Sequence, residues 1–256
     1  MDVSFRETAY QAIRRVPGYP AVDALELGCG DGFILERVTK DGARARGTTY
    51  RSDSDDYIRT RPYPAGMTID YGIDLNRPLP HEHESFDLVY STEVIEHIEG
   101  HRNLIGEAAR VLRPGGRLVL TTPNLHRLAS RWQFFLTGVH ETRRELIPWS
   151  VGLAGMEEYH HRPADFPLLH WLLWQSGMRI RSLEMTRARR RSRLLARLFA
   201  PKIRRATRAA VMKGVTGDAG DRKGREDLLR WLMSPELQTS ERLCLVAQKQ
   251  AQPKSD

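Results

Sequence analysis

The sequence predicts an α/β chain whose mainly parallel sheet carries helices on both faces, and three observations predict it. Short apolar runs at residues 21–27, 45–50, 67–69, 87–90 and 117–121 alternate with helical patterns at 33–40 and 102–112, the rhythm of β-α-β units. The first run passes into three glycines at alternate positions, Gly28, Gly30 and Gly32, and then directly into a helical pattern. Two further apolar runs, at 180–185 and 242–247, are expected to finish the sheet as its last strands.

Each element has a local reason. Gly28 and Gly30 lack a Cβ, so the backbone there can take positive φ and lie close against a ligand, while the next helix aims its N-terminus at the same pocket. Pro114, Gly115 and Gly116 stop the helix before the strand at 117–121. A helix at 165–175 has Asp165 as N-cap and Gly177 as its stop, and Leu168, Leu169, Trp171, Leu172, Leu173 and Trp174 along it read as helix core. The expected organisation is a single domain: an N-terminal helix within 1–20, a cofactor-binding core at 21–124, a substrate-side cap at 125–177, a basic helical insertion at 186–240 before the last strand, and a flexible tail at 248–256.

Composition narrows the class. With 40% apolar and 28% charged residues over 256 positions, the chain has ordinary globular usage. No apolar run approaches the roughly 20 residues that cross a bilayer, and Met1 to Arg6 open no secretory segment, which predicts a cytoplasmic location. Two cysteines, Cys29 and Cys244, make neither a disulfide framework nor a paired-cysteine metal site. Cys29, inside the glycine turn, reads as a small packing residue rather than a nucleophile.

The charge is local. Residues 178–213 hold thirteen Lys or Arg against the single acid Glu184, a net of +12 in a chain whose total is +8. Within them Arg190, Arg193 and Arg197 repeat at helical spacing, with Leu194, Leu195, Leu198 and Phe199 on the other side, a basic amphipathic helix. Such a helix suits an anionic membrane at its inner face, RNA phosphates, or simply a solvated flank of a packed helix. Emerging after the sixth strand, at the cofactor edge of the sheet, it is expected to contribute to substrate presentation.

The glycine spacing excludes one cofactor class. A dinucleotide fingerprint reads G-x-G-x-x-G, but Phe33 stands where its third glycine belongs, and the turn here is Glu26 followed by G-x-G-x-G. Three further blocks follow in order: Gly72-Ile73-Asp74-Leu75; the run from Ser85 through Ser91-Thr92-Glu93-Val94-Ile95-Glu96-His97; and Arg110 through Pro114-Gly115-Gly116 to Thr122-Pro123-Asn124. With these blocks the chain resembles the class I S-adenosylmethionine-dependent methyltransferases over about residues 22–124, and within them the subgroup containing quinone-biosynthesis and glycan-associated enzymes. The resemblance implies a Rossmann-like seven-stranded sheet, mostly parallel and ending in an antiparallel hairpin, with S-adenosyl-L-methionine as cofactor.

It also implies the site. Glu26 and the backbone of Gly28, Cys29 and Gly30 correspond to the groups that hold the methionine half, since its ammonium needs acceptors and its carboxylate needs donors. Asp74 corresponds to the reader of the adenine amino group, and Leu75 to an amide and apolar contact. Ser91 and Glu93 follow the fourth strand, where cofactor and substrate meet. The family's acid for the ribose hydroxyls is replaced here by Thr49 or Tyr50, so either Asp53, Asp55 or Asp56 reaches back from the loop or a hydroxyl substitutes at lower affinity.

Methyl transfer asks mainly for alignment, with a base only where the acceptor must lose a proton. His97 is the first base candidate, although the same position suits a hydrogen-bonded structural histidine; His161, beside His160 and ahead of Arg162-Pro163, is the second. His97 and His101 are four apart, but Gly100 intervenes and no third ligand has suitable spacing, so no metal site is expected. Trp132, Phe134 and Trp149 are expected to line a pocket for a sugar or lipid. No N-P-P-Y or D-P-P-Y run is present, which argues against amino-group DNA and protein methylation. The expected reaction is O-methylation of a small molecule or a glycan- or lipid-linked acceptor, with RNA methylation and cofactor binding without turnover as alternatives.

Overall fold

The computed structural model describes residues 3–140, 148, 150–152, 159–160, 162–188, 190–215 and 217–251. Its sheet is built on β1 (Asp23–Glu26), flanked on one side by β2 (Arg44–Thr48) and β3 (Thr68–Asp70) and on the other by β4 (Phe86–Thr92) and β5 (Leu112–Pro123). Beyond β5 lie β7 (Arg242–Lys249) and, at the edge, β6 (Met178–Leu183), giving the order β3-β2-β1-β4-β5-β7-β6. The first five strands pair in parallel, and β7 runs antiparallel to both neighbours. The seven-stranded, mostly parallel sheet expected from the sequence is therefore present.

The period of two along each strand divides the core between two faces. Ala24, Leu88, Tyr90, Val119 and Cys244 pack with α1 (Val3–Arg14) and α2 (Phe33–Lys40), whereas Leu25, Val89, Leu118, Leu120 and Leu245 pack with α4 (His101–Val111) and α6 (Phe166–Gln175). Leucines such as Leu25 and Leu245, with no exposed surface, each contribute about 1.5–3 kcal/mol of burial. Such strands, covered on both sides, leave the C-terminal edge of the sheet as the place for chemistry.

Several boundaries differ from the sequence expectation, each for a local reason. The N-terminal helix ends at Arg14, and β1 begins at Asp23 because the Val22 N–H turns back onto the Pro20 carbonyl at 2.8 Å. Strand β5 starts at Leu112, ahead of the Pro-Gly-Gly stop: the register slips from Phe86 opposite Leu112 to Leu88 opposite Arg117, so the glycines bulge out of a strand already begun. Gln248 and Lys249 belong to β7 rather than to a tail, and the Lys249 ammonium donates to the Leu112 carbonyl at 2.7 Å.

In α6, Asp165 caps the helix by accepting from the Leu168 N–H at 3.2 Å, and Gly177 takes positive φ at its end. Leu169, Leu172 and Leu173 are buried as expected; Leu168 and Trp171 are instead 46% and 54% exposed, on the outer side of the helix. Strand β6 runs parallel to β5, so the chain leaves it at the same edge as the glycine turn and forms α7 (Arg190–Val211), α8 (Ala219–Leu232) and α9 (Pro235–Thr239) before β7. On α7, Arg193, Leu194, Arg197, Leu198 and Phe199 are exposed. No described helix is long and apolar enough to cross a membrane.

His170, on α6, faces Asp227 of α8 at 2.9 Å and is 5% exposed. Burial holds its imidazole below the ordinary histidine range, with the Asp227 carboxylate pulling the other way. A histidine kept neutral in the native state lets the unfolded chain bind more protons as pH falls, so its contribution is full above about 6.5 and is lost below it. The stability difference between wild type and His170→Gln is therefore expected to move against wild type as pH falls through about 6.5, read by thermal denaturation at pH 7.5 and 5.5. A pH-independent difference would contradict this.

Candidate active site

The glycine turn is held from behind by the last residue of β2. The Thr48 hydroxyl accepts from the Gly28 N–H at 3.0 Å and donates to the Glu26 carbonyl at 3.2 Å, while the Cys29 N–H donates to the Thr48 carbonyl at 2.8 Å. Gly28 sits at φ +73, and a Cβ there would lie 2.7 Å from Val94 Cγ2. Glycine is required by both the backbone and the neighbour. Gly30, at φ +55, has nothing within 4 Å of its would-be Cβ, and its carbonyl accepts from the Tyr63 hydroxyl at 3.0 Å.

Glu26 ends β1 at 2% exposure and faces the cavity beneath the turn. Its Oε2 has no hydrogen-bond partner among the described residues, and burial pushes the carboxyl well above the usual carboxylate range. A buried acceptor of this kind calls for a cationic or N–H-bearing ligand. Together with the turn's backbone and the buried Leu75 on the wall, these residues fit the ammonium, carboxylate and adenosine parts of S-adenosyl-L-methionine. The cavity measures about 730 Å³, within the range of small-molecule sites.

Most of the residues expected from the sequence meet here. Glu26, Gly28, Cys29, Gly30, Asp74, Leu75, Glu93 and His97 all line this one cavity. Asp74 also forms a local turn, its Oδ1 accepting from the Asn76 N–H at 2.9 Å. Burial pushes the Cys29 thiol up to about 12, so it packs rather than attacks.

Three expectations are corrected. Ser91 is buried behind the wall, donating to the Leu27 carbonyl at 3.0 Å, because alternation along β4 turns its neighbour Thr92 to the cavity instead. Asp53 is exposed and outside the lining, where Thr49, Tyr50 and Arg51 stand; Asp55 is spent on capping α3 (Asp56–Thr60), accepting from the Tyr57 N–H at 2.8 Å. Trp132 and Phe134, on α5 (Leu128–Thr137), are 64% and 49% exposed and do not line the cavity. Trp149 and His161 lie outside the described residues.

The far end of the cavity is built by the chain leaving β4. Glu93 takes φ +55 and forms an ion pair with Arg242, the first residue of β7, at 2.7 Å, both side chains about 15% exposed. A 3-10 turn (Ile95–His97) follows. Glu96 within it is fully buried: its Oε2 accepts from the Thr122 hydroxyl at 3.0 Å, and burial, with the nearby Glu93 charge, raises its carboxyl well above the usual range. The Glu96 carbonyl accepts from the Arg162 N–H at 3.0 Å, which ties the neighbourhood of His160 to this turn. The rings of His97 and His160 meet edge to face at 4.9 Å on the cavity wall.

Four contributors were outside the sequence assignment or secondary to it: Thr48, Glu96, His160 and Arg242. The segment Glu93 to His97 carried a signal for Glu96. Arg242 carried none, since it reaches Glu93 only through the antiparallel insertion of β7.

Comparison with known proteins agrees with this architecture. Residues 25–120 match the family model described as a methyltransferase domain. A ubiquinone biosynthesis O-methyltransferase of Nitrosococcus oceani is 28% identical over 144 residues, 55% of this chain and 58% of that protein. The chain spans about half the length of the curated relatives it matches. A protein described as an S-adenosylmethionine-dependent methyltransferase from Listeria monocytogenes superposes with a TM-score of 0.54 at 13% identity, over 98% of this chain and all of that one. Phosphoethanolamine N-methyltransferase 2 of Haemonchus contortus, solved with S-adenosyl-L-methionine, gives 0.52 at 14%, over 96% of this chain and 53% of that one. Motif order, sheet order and the matched domain agree over residues 25–120, where the chain is similar to S-adenosylmethionine-dependent methyltransferases.

Proposed function

We propose that this protein transfers the methyl group of S-adenosyl-L-methionine to an oxygen of a small molecule or of a glycan- or lipid-linked acceptor. One observation carries the reading: a single cavity has, at one end, a glycine turn and a buried carboxylate with one oxygen unpartnered among the described residues, and a histidine pair at the other. When bound, the cofactor supplies a methyl made electrophilic by its sulfonium. Glu26 accepts from its ammonium, the glycine turn, whose Gly28 and Cys29 N–H groups are held by Thr48, receives its carboxylate at Gly30, and Asp74 with Leu75 holds the adenine side. The Glu93–Arg242 pair fixes the backbone that carries His97, and His97 with His160 takes charge of the acceptor's proton. The choice of oxygen is supported by the relatives at about 28% identity, which are named as O-methyltransferases.

His97→Ala is expected to lower kcat about 10²–10⁴-fold while S-adenosylhomocysteine binding stays within a few-fold of wild type. An unchanged kcat would remove His97 from the reaction. The basic segment supports a role in acceptor handling: deleting 187–213 is expected to raise the acceptor KM and leave S-adenosylhomocysteine affinity unchanged. An unaltered KM would contradict that role. Its net positive charge also favours a second reading, RNA as acceptor, which demands binding that weakens steeply with salt; a flat salt response excludes it.

A further inference from the structure

We propose that Glu96, His97 and His160 form a binding site for one divalent first-row transition-metal ion at the acceptor end of the cavity. The inference rests on the methyl-transfer reading only for the ion's role, not for its binding. Each of the three residues offers one ligand atom, and these atoms lie within 4.8 Å of one another, although His160 comes from a loop more than sixty residues beyond the other two.

The donor set is chemically specific. Two imidazoles and a carboxylate favour Zn²⁺, Mn²⁺, Fe²⁺ or Co²⁺ over Mg²⁺ and Ca²⁺, which prefer all-oxygen shells. Two ligands at about 2.1 Å from an ion stand up to about 4.2 Å apart, and Glu96 Oε1 lies 4.0 Å from His160 Nε2.

A second, independent observation points to a ligand. Glu96 has no exposed surface, and its Oε1 has no hydrogen-bond partner among the described residues. The other oxygen is held by the Thr122 hydroxyl at 3.0 Å, which fixes the carboxylate plane and leaves Oε1 on the side of the histidines. This is the outer-shell support that metal-ligating carboxylates usually have. A buried carboxylate with one oxygen held and the other bare is costly by itself and is satisfied by a cation.

The position gives the ion its role. His97 and His160 line the cavity, whereas Glu96 stands behind them, so the ion's free coordination positions face the space where an acceptor would lie. An acceptor hydroxyl on such an ion would lose its proton to solvent near neutral pH, so His97 and His160 would deal with that proton through the ion they hold.

The test is metal binding by the full chain, read without turnover. Protein stripped by chelation is titrated with Mn²⁺ and followed by electron paramagnetic resonance, with S-adenosylhomocysteine binding measured on the same samples. The expected result is one ion per chain, with spin-echo modulation from two imidazole nitrogens, and a loss of at least about 100-fold in affinity for Glu96→Gln, His97→Ala and His160→Ala. Thr122→Val, which keeps all three ligands, is expected to lose about 10-fold. S-adenosylhomocysteine binding should persist throughout. Wild type that binds S-adenosylhomocysteine but no Mn²⁺, or that shows no imidazole modulation, overturns the metal site while leaving the methyltransferase reading intact. Undiminished Mn²⁺ binding in the three ligand variants overturns it equally. Loss of S-adenosylhomocysteine binding by wild type is the separate failure of the cofactor reading.

Discussion

Gly28→Ala is expected to weaken S-adenosylhomocysteine binding by at least about 100-fold, close to 2.8 kcal/mol. The left-handed backbone at φ +73 costs an L-residue roughly 1–2 kcal/mol. The rest comes from Val94, whose Cγ2 would lie 2.7 Å from the new Cβ. Val94 cannot retreat without moving the 3-10 turn that begins at Ile95, so one methyl disturbs both ends of the cavity. Gly30→Ala is the control: its backbone also has positive φ, but the added Cβ meets nothing within 4 Å, and a loss of about 10-fold or less is expected. Isothermal titration of both variants checks the pair, and equal losses would show that the turn is not wedged against Val94.

Arg242→Ala is expected to lower stability by about 3 kcal/mol, a fall of roughly 6–12 °C in Tm for a chain of this size. Removing the guanidinium leaves Glu93 about 15% exposed, beside the fully buried Glu96, and held at φ +55 by contacts that no longer balance its charge. Breaking one partner of a buried pair costs more than replacing both. The double variant Arg242→Met/Glu93→Gln is therefore expected to recover part of the lost Tm, and a double variant less stable than Arg242→Ala would contradict the coupling.

The legible part of this molecule is the part written in short-range pattern. The strand-to-glycine-turn segment from residue 24 to Gly32 states its own backbone, because alternate glycines after a buried strand leave few conformations. Asp165 and Gly177 likewise announce the ends of α6. What escaped was set by long-range register. Ser91 and Thr92 are equally polar neighbours, and only the pairing of β4 with β1 and β5 decides which of them faces the cavity. Arg242 meets Glu93 because β7 inserts between β5 and β6, and His160 meets Glu96 through a loop contact to Arg162. Aromatic residues misled for a different reason: Trp132 and Phe134 lie on a short helix whose outer side is open, and hydrophobicity alone does not distinguish that side from a pocket wall.

The most direct test of the central claim is transfer of labelled methyl from S-adenosyl-L-methionine into a bacterial extract separated into small-molecule, lipid and glycan, RNA and protein fractions. Gly30→Arg, which puts a long cationic side chain on the φ +55 backbone at the cavity lining, serves as the blank. Label that the blank lacks, found in the small-molecule or the lipid and glycan fraction and stable as an ether, is the predicted result. Label confined to RNA or to nitrogen, or no label at all from protein that binds S-adenosylhomocysteine, would contradict it.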